Sequence, residues 1–302
     1  MQKTLVIGGT GFIGTSIVQV LKEHDQYVSV YDVNKSLNGN DNYVGNIKDD
    51  INFDNIVSQY DNVIYLITTV SPKRSMDFPN EPYTNDVPLL IKTLDACLKS
   101  GIKRIVFASS GGTIYGDSNG IKSVETDINS PINHYAVCKL TCEKILEMYN
   151  KLYGMENVAL RISNPYGEGQ NPKSGVGVIT TFAEQIKNGN QINLFGDGSV
   201  TRDFVYVKDV AEAFYLATNW DFIKEIAPIF NIGSGTGLSL KQIVEIVSEV
   251  LEVEPKINYL PEREFDVKYN VLDISKAQKY IDYKPVKNNE ECIKQYVKNR
   301  FK

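Results

Sequence analysis

Three glycines, Gly8, Gly11 and Gly14, stand between a short apolar run at 3–7 and a segment at 12–22 whose apolar residues recur at helical spacing. A chain that leaves a buried strand and enters a helix so quickly has few ways to turn. The first glycine admits the tight turn, the second lets backbone N–H groups approach a ligand, and the third lets the helix pack on the strand. The same geometry aims the positive end of the helix at the occupant of the turn, which suits a pyrophosphate. Gly8, Gly11, Phe12, Ile13 and Gly14 are therefore candidate dinucleotide-binding residues. Asp32 ends the next apolar run, 27–31. A carboxylate there accepts from the adenosine ribose hydroxyls and repels a 2′-phosphate. A strand-capping Asp is the structural alternative, and Lys35 leaves slight room for NADP. The balance favours NAD.

The alternation continues. Apolar runs at 63–67, 104–108 and 158–161 read as buried strands, and 88–99 and 135–152 as amphipathic helices. Short continuous apolar strands between such helices indicate an α/β fold, a Rossmann-like doubly wound parallel sheet with helices on both faces. After about residue 165 the texture changes. Loops rich in Gly and Asn (167–177, 188–190, 196–199) separate shorter elements, with helical segments at 208–218, 239–251, 275–281 and 289–301. The expected division is a dinucleotide-binding domain over 1–165, to which segments near 204–232 return, and a smaller α/β substrate lobe over 166–302.

Composition narrows the function classes. The 302 residues are 42% hydrophobic and 23% charged with net charge −5, and Lys and Arg are scattered among acidic residues. A nucleic-acid or anionic-membrane surface would need them clustered. No apolar run approaches the ~20 residues of a bilayer span. A core-like strand begins so near the first residue that no signal peptide is expected. Cys97, Cys138, Cys142 and Cys292 lack metal-ligand spacing, and His24 and His134 are the only histidines. The expectation is a reduced, metal-free, cytoplasmic protein.

Tyr135 and Lys139 are four residues apart in a helical segment and so share one face. A tyrosine phenol ordinarily gives up its proton only near pH ~10, so it is a poor base at neutral pH. An ammonium one turn away, with an oxidised nicotinamide, favours the phenolate. Chance spacing is the alternative in a chain with 18 Tyr. Against it stand Ser109 and Ser110 at the end of a strand, where a hydroxyl could bond the reacting substrate oxygen and pass its proton to Tyr135.

The runs Gly8 to Gly14, Ser109-Ser110-Gly111-Gly112-Thr113-Ile114-Tyr115-Gly116 and Tyr135 to Lys139 together resemble the extended short-chain dehydrogenase/reductase superfamily. The nearest resemblance is to its NAD-dependent nucleotide-sugar epimerase/dehydratase branch, the one that includes the UDP-glucose 4-epimerases. It continues through Arg161-Ile162-Ser163-Asn164-Pro165-Tyr166-Gly167, Phe195-Gly196-Asp197-Gly198, the run from Thr201 to Val210 and Phe230-Asn231-Ile232-Gly233-Ser234-Gly235, nearly the whole chain in order. By position, the resemblance implies that Asn164, Arg202 and Arg263 hold the substrate diphosphate and Asp266 the nucleotide ribose. Asn85 falls at a cofactor-side Asn. Asn46 and Ile47 fall beside the adenine, where relatives often carry Asp at the first position. Thr68-Thr69 replaces a usual Ala pair. The residue four before the Tyr of the Tyr-Gly motif, often a catalytic hydroxyl, is Gly111 here, which leaves Ser110 or Thr113. The resemblance also implies a homodimer through a four-helix bundle built from 88–99 and 135–152. Leu90, Leu94, Leu98, Leu140 and Ile145 would serve an intramolecular core equally well.

Dehydratases of this branch carry Asp-Glu directly before the Val-Tyr-Gly segment and decarboxylases carry Glu, whereas this chain has Gly112-Thr113. The implied reaction is redox at one carbon: epimerisation of a nucleotide sugar, a UDP-hexose at carbon 4, through a transient 4-keto intermediate. Net NAD(P)-dependent reduction or oxidation, or non-catalytic dinucleotide binding, are the alternatives. Asn270, beside Tyr269, lies where the branch sets pocket width. UDP-glucose/UDP-galactose is the default substrate, with UDP-N-acetylhexosamine or a hexuronate next.

Overall fold

In chain order, β1 (Lys3–Ile7), α1 (Phe12–Glu23), β2 (Tyr27–Asp32) and β3 (Asn42–Val44) are followed by α2 (Phe53–Val57), β4 (Asn62–Tyr65) and α3 (Pro72–Asp77). A π-helical turn (Pro82–Asp86) enters α4 (Val87–Lys99), then come β5 (Ile105–Ser110), α5 (Gly111–Ile114), α6 (His134–Tyr153), β6 (Val158–Ile162) and β7 (Asn164–Tyr166). The second half contributes α7 (Val178–Lys187), β8 (Gln191–Phe195), β9 (Thr201–Tyr206), α8 (Val207–Thr218), β10 (Ile229–Ile232) and β11 (Gly237–Ser239). The chain ends with α9 (Leu240–Leu251), β12 (Lys256–Leu260), β13 (Tyr269–Asn270), α10 (Ser275–Ile281) and α11 (Asn289–Phe301). These elements come from a computed structural model that describes residues 2–36, 38–172, 176–262, 267–286 and 289–302.

Seven parallel strands form one sheet in the order β10-β6-β5-β4-β1-β2-β3. Alternate side chains of each strand feed opposite faces. Val6, Ile64, Val106 and Leu160 join Ile17, Leu21, Phe214 and Ala217 of α1 and α8 in one core. Leu5, Ile7, Val63, Ile105 and Phe107 meet Leu90, Leu94, Cys138 and Leu146 of α4 and α6 in the other. Leu90 and Leu94 are thus intramolecular core, fully buried. The strand order reverses between β1 and β4, which opens a crevice at the carboxyl edge of the sheet.

The chain returns to this sheet late. β10 pairs with β6, and α8 packs on α1. Between and after these pieces, β7, β9, β11 and β13 make a small sheet, and β8 pairs with β12. A third core of Ile179, Phe182, Ile243, Val247, Ile293 and Val297 joins α7, α9 and α11. The strand expected at 63–67 ends at Tyr65, where the chain bends alongside Gly8, and the one expected at 104–108 runs on to Ser110. Among the described residues no helix is long and apolar enough to cross a membrane.

The glycine turn shows which position the fold itself requires. A Cβ on Gly14 would lie 2.6 Å from Gly8 O and 2.7 Å from Gly9 Cα, both rigid backbone atoms. One on Gly11 would meet nothing nearer than Gly8 O at 3.6 Å. Gly14→Ala is expected to destabilise the protein by roughly 1–3 kcal/mol through overpacking, and Gly11→Ala to leave the denaturation midpoint unchanged. Urea titrations of both variants check this, and equal midpoints would contradict the packing argument.

Candidate active site

The candidate residues gather at the carboxyl edge of the parallel sheet. β1 delivers the glycine turn, where Gly8 adopts φ +83° and its N–H donates to Tyr31 O at 2.9 Å. The first i→i−4 bond of α1 is Thr15 N to Gly11 O, 2.9 Å, so the amides of Phe12, Ile13 and Gly14 lie ahead of the helical ladder. Gly11, the N-cap, brings no capping side chain to satisfy them. Asp32, at the end of β2, accepts from Thr10 N at 3.1 Å and Asn34 N at 3.0 Å, which ties its carboxylate to the turn. Room at Gly11, open helical amides and a carboxylate beside them fit a dinucleotide pyrophosphate and ribose.

The adenine-side candidates sit just beyond β3. Asn46 is exposed and its Oδ1 accepts from Lys48 N at 3.1 Å. Ile47 is buried core, and its carbonyl accepts from Lys92 of α4. After β4, Thr68 and Thr69 do not present free hydroxyls. Both donate to buried Asp86, at 3.2 and 2.7 Å, and Thr69 N adds a third bond at 3.0 Å. Asn85 is the neighbouring residue of the π-helical turn and is half-buried.

Helix α6 starts cleanly because Asn133 Oδ1 caps Ala136 N at 2.8 Å. Tyr135, Lys139 and Glu143 then follow at intervals of four along one face. Lys139 is buried, donates from Nζ to Ala108 O of β5 at 2.8 Å, and lies 5.6 Å from the Tyr135 ring centroid. Tyr135 is half-buried, and its N–H donates to Ser75 Oγ at 3.1 Å. Ser110 and Thr113, the two alternative hydroxyls, form one pair, with Thr113 Oγ1 donating to Ser110 Oγ at 2.9 Å. Gly111 can carry no side chain. Its Cβ would lie 2.6 Å from Leu272 Cδ1 and 2.9 Å from Arg161 O.

The substrate-side candidates divide. Asn164 comes to the α5 turn, with its amide group 3.6 Å from where a Gly112 Cβ would stand, and its Nδ2 donates to Asp203 O at 3.0 Å. Arg202 lies on β9, opposite Asn270 in register, and Nη1 donates to Thr201 O at 2.9 Å. Arg263 and Asp266 lie outside the described residues. Asn270 is fully buried, with Nδ2 donating to Gly111 O at 3.2 Å. Its bearing on the pocket therefore runs through the Gly111 turn. Its Oδ1 has no partner among the described residues. Those residues also contain no group of three His, Cys, Asp or Glu able to hold a metal.

Sequence reasoning missed the polar network beneath the site. Glu143 accepts from Arg161 Nη2 at 2.7 Å, Arg161 Nε at 3.0 Å and Ser109 Oγ at 2.5 Å. Arg161 and Glu143 are only 2% and 0% exposed, so each charge depends on the other. Arg161 also stands 4.9 Å from the Tyr115 ring centroid, and Tyr115 OH donates to Asn231 at 2.6 Å. Glu143 was legible as the next step of the Tyr135, Lys139 spacing. Asp203, fully buried, accepts from Ser234 N and Oγ, Gly235 N and Leu272 N. Burial pushes its carboxyl up to about 6 against the pull of those donors.

Residues 4–233 match the family model described as NAD dependent epimerase/dehydratase family. A putative UDP-glucose 4-epimerase of Methanocaldococcus jannaschii is 35% identical over 97% of this chain and 96% of its own length. The UDP-glucose 4-epimerase of Thermotoga maritima, solved with UDP-glucose, superposes with TM-score 0.90 at 32% identity, over 98% of this chain and 97% of that one. The UDP-glucose 4-epimerase of Thermus thermophilus, solved with NAD, gives TM-score 0.88 at 30% identity over 98% of each chain.

Replacing Arg161 by Met is expected to lower folding stability by about 3–5 kcal/mol, because Glu143 is left charged and buried without its partner. Chemical denaturation measures this, and a loss below about 1 kcal/mol would show the pair to be solvated. The double change Arg161→Met with Glu143→Leu should recover most of it.

Proposed function

This chain belongs to the NAD dependent epimerase/dehydratase family, and on that premise we propose that it is an NAD-dependent nucleotide-sugar epimerase acting at carbon 4 of a UDP-hexose. The observation that carries this is the buried Lys139, fixed on Ala108 O one helical turn from Tyr135, above a strand that ends in the Ser110–Thr113 hydroxyl pair. Residues 1–165 would hold the dinucleotide, with Gly8, Gly11, Phe12, Ile13 and Gly14 on the pyrophosphate, Asp32 on the ribose, and Asn46 and Ile47 at the adenine. Residues 166–302 would hold the nucleotide sugar, with Arg202, Arg263 and Asp266 joining Asn164.

Bound NAD supplies the acceptor and donor of the electron pair. Tyr135, as the phenolate that the Lys139 ammonium stabilises, takes the proton of the sugar 4′-hydroxyl and becomes the neutral phenol. Ser110, aligned by Thr113, bonds the same sugar oxygen and orients it toward Tyr135. The 4-keto sugar turns over in the pocket, and Tyr135 returns the proton once the opposite face has been reduced. Gly112 and Thr113 offer no carboxylate to remove a proton from carbon 5, which argues against dehydration and decarboxylation.

We further propose a cytoplasmic homodimer. Val137, Met148 and Leu152 on α6 and Ile91 on α4 are exposed apolar residues at helical spacing, the arrangement that a bundle of four helices would cover. The four cysteines are free thiols, in keeping with a reducing compartment.

Native mass spectrometry of the purified protein is expected to show two chains with bound NAD, and incubation with UDP-galactose to yield UDP-glucose. Tyr135→Phe should retain NAD and lose at least ~10²-fold in turnover. Substantial activity in that variant would defeat the mechanism. Bound NAD without conversion would move the search to UDP-N-acetylhexosamines and hexuronates. Stoichiometric reduction of free NAD would favour net oxidation.

A further inference from the structure

The chain segment that leaves β7 comes against the first residue of α1, and its anchor lies near the opposite end of the sequence. Gly169, with φ +83°, stands against the first residue of α1. A Cβ placed on it would lie 3.9 Å from Phe12 Cδ2, in van der Waals contact. Phe12 N–H is one of the open amides at the helix start. Through Gly169 the segment 167–170 therefore reaches the residue whose N–H opens the seat proposed for the pyrophosphate.

Arg300, in the last turn of α11, grips this segment. Its Nη2 donates to Gln170 O at 2.6 Å, and its Nη1 donates to Gly167 O at 3.4 Å and to Tyr296 OH at 3.0 Å. Tyr296 OH in turn meets Thr180 Oγ1 at 2.8 Å. Thr180 donates to Gln170 Oε1 at 2.6 Å, and Gln170 Nε2 donates to Pro165 O at 3.0 Å. The segment is thus held twice, by its backbone carbonyls through the guanidinium and by the buried Gln170 side chain through Thr180. The guanidinium reaches two carbonyls and the Tyr296 hydroxyl from two separate nitrogens held in one plane, a spread that the single nitrogen of an ammonium does not match. Gly167 and Gly169 give the segment a path that other residues would strain, since both have positive φ.

We propose that Arg300 and Tyr296 form a latch that holds segment 167–170 over the dinucleotide turn and thereby slows the escape of bound NAD. The inference rests on the cofactor reading above and deepens it. An epimerase that restores its cofactor in every cycle has no need to release it, so a fixed strap across the pyrophosphate seat is compatible with turnover. The latch residues are separated from the turn by almost the whole chain, so the retention is a product of the C-terminal helix docking on the substrate lobe.

The test compares the wild-type protein with Arg300→Met, Arg300→Lys and Tyr296→Phe, each loaded with NAD and passed into NAD-free buffer. Bound NAD is followed by native mass spectrometry over time, with the thermal midpoint recorded for each variant. The expected result is NAD loss more than tenfold faster in Arg300→Met, with Lys failing to restore retention. Tyr296→Phe, which keeps the ring packing and removes only the hydroxyl, should give an intermediate rate at an unchanged midpoint. Raised hydrogen exchange at 167–170 in the same variants would support the latch. Retention equal to wild type in folded Arg300→Met or Tyr296→Phe would overturn it while leaving the function intact. If Arg300→Met fails to fold, the rate in Tyr296→Phe decides. A wild-type protein that never holds NAD would overturn the cofactor reading itself and the latch with it.

Discussion

Every strand of the large sheet runs the same way, and that single constraint places the chemistry. Parallel pairing requires each strand to be followed by a crossover, so the carboxyl ends of β1, β4, β5 and β6 all finish at one edge. Gly8, Thr68, Ser110 and Asn164 follow or end those strands and are neighbours in space although up to 156 residues apart in sequence. Helix α6 packs on one face of the sheet and has to bring its Tyr135 turn to that edge with the Lys139 face inward. Its N-cap at Asn133 and its left-handed glycine stop at Gly154 set its length, but neither sets its rotation.

Rotation is set from beneath. Lys139 and Glu143 are the inward residues of two successive turns, and each is bonded to β5, at Ala108 O and Ser109 Oγ. Arg161 of β6 completes the arrangement with two bonds to Glu143. A buried ion pair adds little net stability over an apolar pair of equal volume, because both charges lose their hydration. What it adds is geometry. An apolar contact tolerates sliding, whereas a two-pronged guanidinium–carboxylate bond fixes translation and rotation together. The remaining Arg161 nitrogen, Nη1, has no hydrogen-bond partner among the described residues, and the Tyr115 ring beside the guanidinium gives that positive charge a π face to rest on.

Legibility in the sequence follows the range of the forces involved. The glycine turn, the Tyr135–Lys139 spacing and the buried strands are local patterns, and the elements they imply lie where the spacing put them, within a few residues at each end. β3 (three residues, two of them exposed) and α5 (Gly-Gly-Thr-Ile) carry no period to detect. Leu90 and Leu94 fit both a core and a dimer seam, and only the fold of the opposing face assigns them to the core. The Arg300 bonds to Gly167 and Gln170 cross at least 130 residues, and a lone Arg in an amphipathic C-terminal helix reads as solvated. Arg161 stands inside a recognisable motif, but its role is hidden there, because the motif points to the neighbouring Asn164.

Asp203 shows the same limit from the other side. The run Gly233-Ser234-Gly235 carries a family resemblance without, by itself, a physical reason. In the fold it is a nest around one carboxylate: Ser234 N, Ser234 Oγ and Gly235 N all donate to Asp203, and Leu272 N adds a fourth bond. A Cβ at Gly233 would collide with Asp203 Oδ2, so no larger residue can occupy that position while the carboxylate is there. The Asp203 carbonyl meanwhile accepts from the Asn164 side chain. One residue therefore connects β9, the loop after β10, Leu272 just past β13 and the amide that faces the α5 turn. Because the sheet places the proposed catalytic pair and this clamp places the proposed substrate-side amide, the two halves of the candidate site are joined by a buried charge, held by four donors against its own desolvation.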